Sequence, residues 1–317
     1  MFKALFALAS VLGAMASPTG YSEYKKLPVE RAMSSNMSAP TGTDILQYAL
    51  TLEHLEATFY AEALAKYSAD DFCNAGYPDW VRARFMQIAG HEMDHVNLLS
   101  SVLGSSANAA CNYTFPYTDV TSFINLATVI ESVGVSAYAG AAQYIVGAPA
   151  YLTAAASILS TESRHQAWEQ SAALTGAPWS GPFDTPVGLD MIYTIAAQFI
   201  TGCPSSNMAL PVMAFPSLTL SKANGENPCA GYNATFTYTG SMNSTEPCYA
   251  VFYSGLGMTS VEIMDGSATV PSTLQGYVYV VVSSESNTTM VGTDNIVAGP
   301  ALIDLGLSAY VNNTDNA

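Results

Sequence analysis

Residues 91–95 read His-Glu-Met-Asp-His, and residues 160–165 read Ser-Thr-Glu-Ser-Arg-His. Each contains Glu-x-x-His: Glu92 with His95, and Glu162 with His165. On a helix, residues three apart project from one face, so each motif aims one carboxylate and one imidazole at one point. A single copy arises easily by chance. Two copies, each inside a long apolar-periodic stretch, decide how the first half of the chain is read.

Working outward, four helices are expected: A over about 44–67, B over 79–103, C over 120–145 and D over 150–174. Their core-facing rows carry polar residues at matching depth. Helix B gives Phe85, Ile88, Glu92, His95, Leu99 and Val102; helix D gives Ala155, Ile158, Glu162, His165, Glu169 and Ala172. Helix C gives Ile124, Ala127, Glu131, Gly134, Tyr138 and Ala141; helix A gives Leu46, Ala49, Glu53, Glu56, Tyr60 and Ala63. Between Asp119 and Leu174 only five residues are charged, and three of them, Glu131, Glu162 and Glu169, sit on these rows. The competing reading rotates the helices and turns the acids to solvent, but it must do so four times in register.

Buried carboxylates are costly without compensation, and no Lys or Arg lies on the rows. Two divalent cations would neutralise Glu53, Glu92, Glu131 and Glu162. Mixed carboxylate and imidazole donors suit Fe or Mn; structural zinc favours Cys and His, and calcium takes imidazole poorly. On helix A, Glu53 and Glu56 both qualify. A weak repeat, Glu53-x6-Tyr60 against Glu131-x6-Tyr138, favours Glu53, with Glu56 an extra ligand or a supporting acid. Tyr60, Tyr138 and Glu169 are candidates to hydrogen-bond the ligands, and plain packing is the alternative for each. His54 and His91 fall off the rows and read as surface or boundary residues.

The chain has 317 residues, nine basic against 25 acidic, for a net charge of −16. That balance repels phosphate backbones and argues against a nucleic-acid partner. No internal run has the length of uninterrupted apolar residues that a transmembrane helix needs. Residues 1–16 read as a signal peptide and 17–43 as an extended leader. Sequons at Asn36, Asn112, Asn233, Asn243, Asn287 and Asn312 agree with a secreted glycoprotein, extracellular or in the cell wall.

After residue 174 the composition shifts. A fifth helix is expected over 187–200, closing a helical region of 44–205, and residues 206–317 read as an antiparallel β-sandwich of the Ig-like kind. The strands are expected at 214–220, 233–239, 248–254, 260–264, 277–283 and 301–305. The connection from helix B to helix C is long enough to cross the bundle. Helix B separates its ends by roughly 37 Å, so a Cys73–Cys111 bridge demands that crossover. Cys229 and Cys248 are expected to pair, leaving Cys203 over.

The two-fold pattern of Glu and Glu-x-x-His resembles the ferritin-like di-metal carboxylate proteins. LTLEHLEATFYAEAL (50–64), HEMDHV (91–96) and STESRHQAWEQ (160–170) resemble one branch, the secreted ferritin-like domain of fungal stress-responsive and plant desiccation-related proteins. The resemblance covers about residues 44–175, and more loosely the β-rich tail. It implies metal ligands at Glu53, Glu92, His95, Glu131, Glu162 and His165, two Fe or Mn ions, and a fold of class α+β. The expected activity is oxidation of iron or handling of O2 or peroxide, ferroxidase-like or catalase-like, in a stress or nutrient response. The alternative is a non-enzymatic protective or adhesive protein of the cell wall with a structural or vestigial metal site. A ferritin-style storage shell is disfavoured, because a glycosylated β domain obstructs shell packing.

Overall fold

The computed structural model describes residues 39–222, 225, 227–239 and 248–306. The expected signal peptide, the leader up to residue 38, and Asn36, Asn243 and Asn312 lie outside the described residues.

Helix α1 (Gly42–Lys66) starts at Thr41, whose hydroxyl and Asp44 cap each other's backbone N–H groups. A short helix α2 (Ala69–Asn74), unforeseen in the sequence, links it to α3 (Asp79–Leu103). Helix α3 stops where Gly104 takes φ +58°. Asp119 and Ser122 form a capping box at the start of α4 (Val120–Ala141), and α5 runs over Pro149–Trp168. Helices α1 and α3 pack side by side, as do α4 and α5.

The segment between α3 and α4 travels the full length of α1. Gln47 Nε2 donates to Ser106 O at 2.5 Å near one end of α1. Phe115 meets Phe59 edge-on with centroids 5.1 Å apart, and Lys66 Nζ donates to Tyr117 O at 3.3 Å at the other end. The long crossover is thus present, but its disulfide is not the expected one. Cys111 bonds Cys203, because β1 (Asn112–Tyr113) pairs with β2 (Ile200–Gly202) and brings the two cysteines together. Cys73 stays exposed on α2, beyond the far end of α1. Cys229 and Cys248 also form no bond: Cys229 sits in the loop before β4, while Cys248 is buried at the start of β5 in the opposite sheet.

Helix D was expected to run unbroken through residue 174. Instead α5 passes at Glu169 into a π turn over 169–173. The wider turn shifts the inward row by one residue, so Ala173 is buried and Ala172 exposed. The fifth helix, α6, is shorter than expected, Leu189–Ala196. The chain reaches it by crossing α4 backbone to backbone, and Val187 N–H donates to Ser136 O at 3.2 Å. Only glycine fits beneath it: a Cβ on Gly140 would lie 1.9 Å from Val187 O.

Among the described residues seven strands follow. They are β3 (Leu218–Ser221), β4 (Asn233–Tyr238), β5 (Cys248–Ser254), β6 (Gly257–Ile263), β7 (Ser267–Thr269), β8 (Tyr277–Ser283) and β9 (Ile296–Asp304). They form antiparallel sheets in the orders β3-β4-β7 and β6-β5-β8-β9. The four-stranded sheet is covered on both faces. Val251, Tyr253, Tyr279 and Val281 pack with the helices, while Ala250, Phe252, Val278, Val280 and Val282 pack towards the other sheet. Double burial explains why β8 reads Tyr-Val-Tyr-Val-Val-Val with no polar alternation. Tyr279 O–H is placed 2.9 Å from Ser136 Oγ and 3.1 Å from Ser132 O, both on α4. The helical and β halves therefore share a core, and the sheet braces the helix that carries Glu131. Helix α4 with its following turn is apolar enough by composition to cross a membrane, yet most of it is buried in this core.

Candidate metal centre

Four rods deliver six side chains to one interior region. Glu53 comes from α1, Glu92 and His95 from α3, Glu131 from α4, and Glu162 and His165 from α5. Their ligand atoms fall into two overlapping sets. Glu53, Glu92, His95 and Glu162 form one, and Glu92, Glu131, Glu162 and His165 the other, with the atoms of each set within 4.8 Å of one another. Glu92 and Glu162 belong to both. Each set thus has one private glutamate, one private histidine and two shared carboxylates.

The imidazoles point Nδ1 inward. His95 Nδ1 lies 3.0 Å from Glu92 Oε2 and 3.3 Å from both Glu53 Oε2 and Glu162 Oε1. His165 Nδ1 lies 3.1 Å from Glu92 Oε1 and 3.3 Å from Glu131 Oε2. Among the buried polar atoms without a hydrogen-bond partner are Glu53 Oε2, Glu92 Oε1, Glu131 Oε2, both oxygens of Glu162 and His165 Nδ1. Unpaired buried polar atoms are rare and expensive. Most of these atoms face a histidine Nδ1 or a carboxylate oxygen at 3.1–3.3 Å without making a hydrogen bond, an arrangement that cations between them would satisfy.

The electrostatics agree. Burial pushes Glu53 up to about 7 and raises Glu162 well above the carboxylate range, where the neighbouring acids add to the effect. Burial also pushes Glu92 up, but His165 and His95 outweigh it and hold it down at about 2. Burial lowers both histidines, yet the facing carboxylates outweigh it and hold His95 at about 10 and His165 at about 9. Without metal, protons on the imidazoles compensate the carboxylates.

The private glutamates are held reciprocally. Tyr60 of α1 donates to Glu131 Oε1 at 2.5 Å, and Tyr138 of α4 donates to Glu53 Oε1. Tyr60 Oη also lies 2.8 Å from Glu169 Oε1. Burial, then the Glu131 charge, raise Glu169 well above the usual carboxylate range, and the Tyr60 hydrogen bond works against them.

Glu56 stands outside both ligand sets, though buried beside them. Burial, then the charges of Glu53 and Glu92, raise it well above the carboxylate range. Gly134 makes room for it: a Cβ there would lie 2.8 Å from Glu162 Oε2 and 2.9 Å from Glu56 Oε1. His91 was read as a boundary residue and is exposed, yet its ring stacks on His165 and its Nδ1 lies 2.9 Å from His165 Nε2. Nothing in the spacing of the row signalled that contact, because it runs between helices. His54 holds the crossover, with Nε2 3.0 Å from Asn108 O.

Residues 41–174 match the family model described as the ferritin-like domain. The chain is also 30% identical over 177 residues to Protein rds1 of Schizosaccharomyces pombe. That alignment takes in 55% of this chain and 43% of the relative, so the chain spans less than half the relative's length. Residues 41–174 are thus similar to the ferritin-like domain in sequence, and they fold as a bundle of long helices with a long crossover connection.

Proposed function

We propose that the ferritin-like domain holds two redox-active divalent ions, iron or manganese, and uses them to oxidise ferrous iron or to consume O2 or peroxide outside the cell. The observation that carries this reading is the sharing of Glu92 and Glu162 between two otherwise separate ligand sets. The four carboxylates of the two sets balance two divalent charges once both imidazoles are neutral. The oxygen-rich donor set favours Fe or Mn over structural zinc.

Bound ions of this kind would supply one-electron redox chemistry. The protein's own residues do the rest. Glu92 and Glu162 space the two positions, and Glu53, His95, Glu131 and His165 close them from opposite sides. Tyr60 and Tyr138 fix the carboxylate orientations, which pre-organises the site. His95, His165 and Glu162 must give up protons for ligands to bind, so loading releases acid. The packed aromatic residues Phe59, Phe85 and Phe123 exclude water on one side.

Secretion and glycosylation belong to the same proposal. The exposed asparagines of three sequons, Asn112, Asn233 and Asn287, and the Cys111–Cys203 bond support it. The test is metal analysis of natively purified protein, with ferrous-iron and peroxide turnover assays. Metal that Glu92→Gln abolishes, together with turnover, is the expected result. Full metal retention in that variant refutes the site, while metal without turnover supports the non-enzymatic alternative.

A further inference from the structure

The two Glu-x-x-His motifs match, but the residue just before each does not: His91 on α3 and Thr161 on α5. On the α3 side that residue reaches across to the other helix. His91 Nδ1 lies 2.9 Å from Nε2 of His165, the ring nitrogen that His165 does not turn to the carboxylates. The two ring planes lie 11° apart, with centroids separated by 5.1 Å. A nitrogen-to-nitrogen line this short between nearly parallel rings runs close to both planes, where an imidazole carries its N–H and its lone pair. On the α5 side the residue turns back. Thr161 Oγ1 donates to Ser157 O at 3.3 Å on its own helix and accepts from Arg164 Nη2 at 3.0 Å. Among the described residues, the polar contacts of His95 all run through its Nδ1. One candidate ligand histidine therefore has an outer partner, and the other has none among the described residues.

We propose, resting on the di-metal reading, that His91 is a positioning residue: it accepts the Nε2–H of His165 and makes the set Glu92, Glu131, Glu162 and His165 the tighter of the two metal positions. A neutral imidazole carries one hydrogen, on either nitrogen. A ring with that hydrogen on Nδ1 offers a cation no lone pair there. An acceptor facing Nε2 keeps the hydrogen on Nε2, leaves the Nδ1 lone pair turned to the carboxylates, and holds the ring against rotation. His165 gains all three from His91, whereas His95 must settle its tautomer and ring angle as the ion binds. An outer partner of this kind is worth roughly 10- to 100-fold in metal affinity. The shared carboxylates serve both positions, and each private glutamate has its tyrosine, so this difference lies with the imidazoles. His91 is itself exposed, so its ring supports the ligand from the solvent side without contributing to the core.

The full-length, metal-free protein is titrated with Mn2+ by calorimetry. The parent should bind two ions in two steps, the first tighter by at least about tenfold. His91→Phe keeps a flat ring and removes the acceptor, so the first step should weaken by roughly 10- to 100-fold while the second stays as in the parent. His91→Asn, whose Oδ1 accepts where Nδ1 did, should restore most of the first step. A residue that only packed against His165 would give the reverse order, with Phe the better replacement. The second readout needs no metal. In nitrogen-15 NMR of the metal-free protein, the Nε2–H proton of His165 should be hydrogen-bonded and slow to exchange in the parent and in His91→Asn, and fast to exchange in His91→Phe. Should His91→Phe not fold, His91→Ala takes its place in both measurements. Two equal manganese affinities in the parent, or a His91→Phe isotherm that matches the parent's, overturn the proposal and leave the di-metal reading standing. A parent that takes up no manganese overturns the di-metal reading, and the tighter position with it.

Discussion

Tyr138 on α4 donates its phenol proton to Oε1 of Glu53 on α1. The converse bond runs from Tyr60 on α1 to Glu131 on α4, at 2.5 Å. Each tyrosine lies seven residues beyond the glutamate of its own helix and holds the glutamate of the other. The two halves of the bundle therefore clamp one another across the candidate centre, and neither private ligand is positioned by its own helix alone.

Removing one clamp should loosen one position. Tyr138→Phe leaves Glu53 Oε1 without its donor, and Tyr60→Phe does the same to Glu131 Oε1. A lost support of this kind typically lowers metal affinity about 10- to 100-fold. The affected position should weaken while the other keeps near-parent affinity, read as a split manganese isotherm. Uniform weakening of both positions would contradict a local positioning role.

The shared and private glutamates should differ in stoichiometry. Glu53→Gln is expected to retain one ion per chain, and Glu92→Gln fewer than one, measured by metal analysis after dialysis. The metal-free form should respond in the opposite sense to Glu162→Gln. Burial holds that carboxyl well above its usual range and neither of its oxygens makes a hydrogen bond, so the amide should cost the metal-free fold little or stabilise it. A strongly destabilised metal-free Glu162→Gln would speak against a site built for cations.

The metal-free protein should be least stable in alkali. Glu53 is raised to about 7 by burial, and the carboxylates raise His165 to about 9 and His95 to about 10. A raised folded value means the folded state holds extra protons. That stability is complete below the unfolded values and is lost as pH rises through the folded ones. The melting temperature of the metal-free protein should fall between about pH 5 and pH 10. Ligands must lose protons to bind, so the gain in melting temperature on adding Mn2+ should grow over the same range. A melting temperature that climbs with pH in the absence of metal would overturn this assignment of protons.

Gly134→Ala tests the crowding beside the shared carboxylate. Its Cβ would meet the flexible ends of Glu162 and Glu56 at 2.8 and 2.9 Å, so the fold can yield. The ligand geometry cannot yield without cost. A near-parent melting temperature for the metal-free protein, with metal affinity lowered by about tenfold or more, is expected from a calorimetric titration.

The Cys111–Cys203 bond closes a separation of 92 residues. Chain-entropy arguments put its contribution at up to about 4–5 kcal/mol. Cys203→Ser should lower the melting temperature markedly, and reductant should do the same to the parent. Cys73→Ser should do neither.

The ligand rows were legible in sequence because helical period and burial cost are local facts. Glu92, His95, Glu162 and His165 declare themselves by three-residue spacing, and Glu131 is an isolated charge on an apolar helix. Glu53 and Glu56 share one stripe, and periodicity does not choose between them; in the structure Glu53 falls within one of the two ligand sets, while Glu56 lies beside Gly134 outside both. The strands β4, β5 and β8 were legible from β-branched and aromatic runs between turn residues. Their common core with the helices was not, since a doubly covered strand reads the same whichever layers cover it.

Sequence by itself thus determined the helical rods, the depth at which acids interrupt their inner faces, and the need for compensating positive charge. Only the tertiary structure decided which cysteine meets Cys111, which helix's tyrosine holds which glutamate, and where His91 rests. Those are contacts between segments far apart along the chain. No spacing rule reaches them, because they depend on how the long connection lays one helical hairpin against the other.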